Sequence, residues 1–144
     1  MRRWILLLVL LCACSREANR EASPPAGPQA KPLVSGTLEL DKSLAGKADP
    51  LAILFIIARN ETGQIVAVKK LFPPFQYPVA FALTSEDAMI AGTELSGKLK
   101  LTARLDMDGN ANPAQAGDIL GRPQAEWSVV GESGVRIPLN ELVK

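Results

Sequence analysis

Arg59 and Arg104 are the side chains whose type and position best suit chemistry in this chain. Each closes a strand-like run, Ile57-Ala58-Arg59 and Thr102-Ala103-Arg104, shortly before a Gly-containing turn. A guanidinium at such a strand end offers a planar fork of donors that matches a carboxylate. Arginines so placed also commonly pair with neighbouring acids or cover the sheet, and exposed pairs of that kind contribute little. The echo between the two segments reads as shared strand-end chemistry and not as a repeat. A second candidate is Asp106-Met107-Asp108-Gly109-Asn110-Ala111-Asn112, with oxygen ligands at alternate positions. A calcium loop of the EF-hand kind needs Gly at its sixth position and Glu at its twelfth. Here those positions hold Ala111 and Gly117, so the stretch reads as a turn that favours Asp-Gly and Asn for backbone reasons.

The remaining inventory argues against catalysis. The sequence has no histidine, which removes Ser-His-Asp and Cys-His mechanisms, the commonest metal ligand and the usual neutral-pH proton carrier. Met89 and Met107 are too few to hold copper as soft ligands, and no CxxCH is present for covalent haem attachment. Glu86-Asp87 reads as a solvated loop and not as an acid pair of the glycosidase kind. The expectation is therefore no catalytic residue, no metal and no cofactor.

Cysteine chemistry lies at the start of the chain. Met1-Arg2-Arg3 is followed by an apolar run from Trp4 to Ala13, too short to span a bilayer at ~20 residues but suited to a secretory signal. Leu11-Cys12-Ala13-Cys14 resembles the lipobox of bacterial lipoproteins, which implies a signal peptide over residues 1–13 and lipid attachment at Cys14. Cys12 fits less well, because Leu11 precedes it where a small residue is needed. Acyl chains anchor stably when two or more are present, since each buried CH₂ contributes about 0.8 kcal/mol. Ser15 in place of Asp favours the outer membrane over the inner. Loss of Arg2 and Arg3 changes the formal net charge from +1 to −1, so no nucleic-acid partner is expected. The two cysteines of the sequence are Cys12 and Cys14, so the folded part has no disulfide and no thiol chemistry.

These residues need a scaffold, and the pattern supplies one. Residues 14–32 are polar and rich in Pro, Ala and Glu, too poor in apolar surface to offset their ordering entropy, and read as a flexible, disordered tether. From Leu33 to the end at Lys144 the period changes to two. Strands are expected at Gly36–Asp41, Leu51–Arg59 (apolar on both faces, hence central), Ile65–Phe72, Tyr77–Leu83, Lys98–Leu105, Glu126–Val130 and around Val135–Leu139. Asn60-Glu61-Thr62-Gly63 reads as a turn, and Thr84 to Thr93 has room for one helical turn. Pro138 suits an edge strand. About seven strands in ~110 residues predict an all-β, Ig-like two-sheet sandwich over residues 33–144. The expected core is Leu38, Leu40, Ile53, Phe55, Ile57, Val68, Phe81, Leu83, Leu99, Leu101, Trp127 and Ile137.

Several pieces, in order, carry a family resemblance. They are Ser35-Gly36-Thr37-Leu38-Glu39-Leu40, Phe55-Ile56-Ile57-Ala58-Arg59, Ala67-Val68-Lys69-Lys70, Phe81-Ala82-Leu83-Thr84 with Asp87 and Met89, Ala103-Arg104, Gly109-Asn110-Ala111, Gly117-Asp118 and Gly121. Together they resemble the C-terminal Ig-like periplasmic domain of the cytochrome c-type biogenesis protein H/I family, across Val34 to Val143. The family's full proteins carry membrane helices and a helical-repeat domain that grips apocytochrome c, and this chain shows neither. The resemblance implies a non-catalytic Ig-like binding module, an accessory in c-type cytochrome biogenesis with protein partners such as apocytochrome c or its maturation machinery; the lipobox-like start, a departure from the family, would anchor it by lipid in the periplasm. It transfers no catalytic residue. The alternative is an envelope lipoprotein of unrelated structural or assembly role that reuses an Ig-like domain, since fold does not fix function.

Overall fold

The computed structural model describes residues 32–91, 95–110 and 113–144. Cys14, the signal and nearly all of the tether lie outside them. The described residues are all-β, with strands β1 Pro32–Leu40, β2 Ile53–Arg59, β3 Ile65–Leu71, β4 Val79–Thr84, β5 Lys98–Asp106, β6 Ile119–Gly121, β7 Ser128–Val129 and β8 Glu132–Leu142. A single 3₁₀ turn, Ser85–Asp87, follows β4, in the segment where the sequence left room for one turn. Among the described residues no helix is long and apolar enough to cross a membrane.

The strands pair in the order β3-β2-β5-β6-β8-β1-β4, with β7 on the start of β5. β6 pairs with β5 on one side and β8 on the other, so it joins a β3-β2-β5 layer to a β8-β1-β4 layer around one core. Neighbouring pairs are antiparallel except β1 with β8, which run parallel. On the opposite side, β3 reaches the segment after β4 through an Ala67–Ala88 bridge and a Met89 N–H to Val66 carbonyl bond of 2.9 Å. Lys69 Nζ meets Asp87 Oδ2 there at 3.1 Å.

Local chemistry explains the connections. Asn60 Oδ1 accepts from the N–H groups of Thr62 at 3.1 Å and Gln64 at 2.9 Å, and Gly63 takes φ +83°, which closes the β2–β3 hairpin as the sequence predicts. Thr84 Oγ1 accepts from the Glu86 N–H at 3.3 Å while Asp87 Oδ2 accepts from the Thr84 N–H at 2.8 Å, a reciprocal cap of the short turn. Gly36 of β1 faces β8 so closely that a Cβ would run into the Val135 carbonyl.

The core is lined by Val34 and Leu38 of β1, Leu54, Ile56 and Ala58 of β2, Ala67 of β3, Phe81 and Leu83 of β4, Leu99, Leu101, Ala103 and Leu105 of β5, Ile119 of β6, and Val135, Ile137 and Leu139 of β8. Burial of each large aliphatic side chain contributes about 1.5–3 kcal/mol. Five expected members fall outside this cluster, two of them, Phe55 and Ile57, buried on the other side of β2. Ile53, Val68 and Trp127 are only partly buried and stand outside this cluster. Leu40 packs against it without being fully buried. In β2 the parity is the reverse of the expected one. Leu54, Ile56 and Ala58 face in, because they pair with Leu105, Ala103 and Leu101, while Phe55 and Ile57 are buried on the outward side. The expectation that β2 is apolar on both faces holds.

Pro138 requires a correction. β8 lies between β6 and β1 and is not an edge. The Leu139 carbonyl accepts from the Asp41 N–H at 3.0 Å on the β1 side, so the neighbouring position 138 turns its nitrogen towards β6. Pairing with β6 ends at Gly121–Leu139, which leaves no ladder bond for the proline to break.

An arginine-lined cavity on an outward face

The outward face of β2, β5 and β6 carries the candidate site. In β2 the outward positions are Phe55, Ile57 and Arg59, and in β5 they are Lys100, Thr102, Arg104 and Asp106. Leu120 of β6 pairs with Arg104. Between these strands and the loop after β5 lies a cavity of about 260 Å³, bordered by Ile57, Arg59, Thr102, Arg104, Ala114, Leu120 and Arg122, with Ala103 and Gly121 behind them. Arg59 and Arg104 thus come together in one cavity. The pairing register brings them there, because Ile57 faces Thr102 across adjacent strands.

The two arginines have different surroundings. Arg104 lies in the interior of β5 and not at its end, and is 5% exposed. Its Nε stands 3.1 Å from Asp106 Oδ2 and 3.8 Å from Asp118 Oδ2. Its Nη2 donates to the Asn110 carbonyl at 3.1 Å. Asp106 and Asp118 are themselves 0% and 2% exposed. Arg104 Nε and Asp106 Oδ2 have no aligned hydrogen-bond partner, so these two atoms hold each other by charge alone. The carboxylates also knit the loop. Asp106 Oδ1 accepts from the Gly109 N–H at 2.6 Å and the Asn110 N–H at 3.0 Å. Asp118 accepts from the Met107 N–H at 3.2 Å and the Gln115 N–H at 2.9 Å. Gln115 Nε2 donates to Asp108. Burial is the main reason the Asp106 carboxyl is held above its ordinary value. Asp108 and the like charge of Asp118 add to this, while the Gly109 N–H and Arg104 pull the other way.

Arg59 has no acidic partner among the described residues, and its Nη1 donates to Thr102 Oγ1 at 3.3 Å. Arg122 was not expected at the site. It is exposed and lies 3.7 Å from Glu141, and it borders the cavity one position past the end of β6. No strand signal in the sequence marks it. In the stretch read as a turn, Asp106 and Asp108 accept from backbone N–H groups of their own loop, while Ala111 and Asn112 lie outside the described residues.

The rest of this face is basic and aromatic. Lys70 Nζ lies 5.3 Å from the centroids of both Phe55 and Phe72, and Lys100 Nζ lies 5.9 Å from Trp127 and 3.1 Å from Glu126 Oε1. Two further cavities exist. One, of about 240 Å³, is bordered by Gln64, Ile65, Val66, Met89, Ile90 and Leu95 and is mostly apolar, and one, of about 290 Å³, lies beside Asp49, Phe75 and Tyr77. Burial pushes the Tyr77 hydroxyl above its ordinary value.

An antiparallel-rich β-sandwich with a charged concavity on one outward face defines an Ig-like module. The sequence model of the cytochrome c-type biogenesis protein H Ig-like domain matches residues 34–139, and the chain belongs to that family. It is also 30% identical over 148 residues to an uncharacterized protein of Aquifex aeolicus (strain VF5), covering 97% of this chain and 95% of the relative. No solved structure matches the chain.

Proposed function

We propose that this protein is a non-catalytic binding module, anchored by lipid at Cys14 to a membrane facing the periplasm, and that it acts as an accessory factor in c-type cytochrome biogenesis. The observation that carries the reading is the family match over residues 34–139. The lipobox-like Leu11-Cys12-Ala13-Cys14 supports the anchor, and Ser15 favours the outer membrane. The lack of histidine and of any cysteine beyond Cys14 supports a role without catalysis. The partners under this reading are apocytochrome c or proteins that mature it. No cofactor is invoked.

The test is haem-stained membrane protein from a strain deleted for this gene, compared with its parent under respiratory growth. The reading predicts loss of c-type cytochrome bands, restored by the wild-type gene and not by Cys14→Ala. Unchanged bands would reject the cytochrome role and leave an envelope lipoprotein of unrelated assembly role as the better account.

A further inference from the structure

We infer that the cavity beside Arg59 binds a carboxylate carried on an apolar residue of a partner polypeptide. The inference rests on the protein-binding reading above and names the chemistry of its site.

Charge comes first. Among the described residues, three arginines and no acid border the cavity. Arg104 is already neutralised, since Asp106 and Asp118 flank it and the Asn110 carbonyl takes one of its donors. Arg122 is held only at 3.7 Å by Glu141, and both side chains are exposed. Arg59 is half-buried, uses one donor on Thr102, and has no acidic partner among the described residues. A guanidinium carries five N–H donors, so most of those on Arg59 are free to take a planar anion in the bidentate manner.

The walls then select what carries the anion. Ile57, Leu120 and Ala114 supply apolar surface beside the cations. A volume of about 260 Å³ is small beside pockets for drug-sized molecules and suits one residue of a chain. The carboxylate lies on Arg59 with Arg122 at its side, and the apolar group lies on Ile57 and Leu120. Arg104 is a positioning residue here, because it and its two acids fix the loop that brings Ala114 to the wall. An anionic lipid surface is the less fitting partner. It is flat, whereas this site is concave, and Lys70 and Lys100 on the same face are turned onto aromatic rings.

The test uses the mature full-length chain, ¹⁵N-labelled and held in detergent. The probes are acetyl-Gly-Ala-Leu with a free terminal carboxylate, the same peptide amidated, amidated acetyl-Gly-Glu-Leu, and phosphatidylglycerol vesicles. The free acid should shift the amides of Thr102 and Leu120, and amidation should weaken binding ~10-fold, the effect of losing hydrogen bonds to a charged group. Arg59→Ala should weaken it by a similar factor and Arg59→Lys by less, while Arg122→Ala should cost only ~3-fold, as expected of an exposed charge. Binding of the Glu peptide would assign the carboxylate to a side chain, and binding of the terminal acid alone would assign it to a chain end. Either supports the inference. Equal binding of acid and amide, no shift with any peptide, or binding of vesicles alone would overturn it. A folded Arg59→Ala protein that fully restores cytochromes to the deletion strain would overturn the cavity's role while leaving the proposed function standing. Unchanged cytochromes on deletion would do the reverse.

Discussion

On the outward face of β3, β2, β5 and β6, alternate positions hold Phe55, Ile57, Val68, Thr102, Arg104 and Leu120; on the outward face of β4, β1 and β8 they hold Ser35, Thr37, Glu39, Ala80, Ala82 and Arg136. Both faces are cut from the same two-residue alternation, and both cover the same core. The second face is what solvent requires of a sheet: small or polar residues, with Arg136 and Ala80 exposed. The first buries Phe55 and Ile57 to 4% and 7% exposure, with the Lys70 ammonium over the Phe55 ring and the buried Arg104 paired across from Phe55. Folding of the core needs no such cover. A face that carries both large apolar groups and cations, with a cavity between them, is the one on which the proposed binding role rests.

The comparison breaks most sharply at Arg104. Arg104→Ala leaves Asp106 and Asp118 buried without their cation, and urea denaturation should show a loss of about 3–5 kcal/mol, whereas Arg136→Ala on the other face should stay within about 0.5 kcal/mol. Equal effects would remove the distinction. Phe55→Ala should follow, at about 3 kcal/mol although it faces outward, against a negligible change for Thr37→Ala measured in the same way. Asp87→Ala, which cuts both the turn cap and the Lys69 pair between the two layers, should lower stability by about 1–2 kcal/mol.

The smallest effect is in pH. The Asp106 carboxyl binds its proton more tightly folded than unfolded. Between the ordinary Asp value of 3.8 and the raised one, the native state therefore holds more protons, and this group's contribution to stability declines as pH rises through that window. Asp106→Asn should flatten the slope there in denaturation curves taken at stepped pH. An unchanged slope would assign the proton to another group.

The sequence shows β5 plainly, because Leu99, Leu101, Ala103 and Leu105 alternate with polar neighbours. In β2, Ile53 to Ala58 are all apolar, so periodicity carries no parity and only the pairing of Leu54 with Leu105 decides which side faces in. β6 has three residues, too few for any pattern, and Arg122 was hidden with it. Arg59 and Arg104 were legible as candidates by residue type and by the Ile-Ala-Arg and Thr-Ala-Arg echo. That one is buried among acids and the other is half-buried without an acidic partner among the described residues follows from where Asp106 and Asp118 lie. Asp118, the acid that completes the Arg104 cluster, is remote in sequence and reaches it only through the β5–β6 pairing.

The most direct test places a photo-cross-linking residue at Leu120 or Thr102 on one face and at Thr37 or Ala82 on the other, in cells under respiratory growth, with adducts identified by mass spectrometry. The account predicts adducts with apocytochrome c or its maturation proteins from Leu120 and Thr102 and none from Thr37 and Ala82. Adducts confined to Thr37 and Ala82, or equal from both faces, would contradict it.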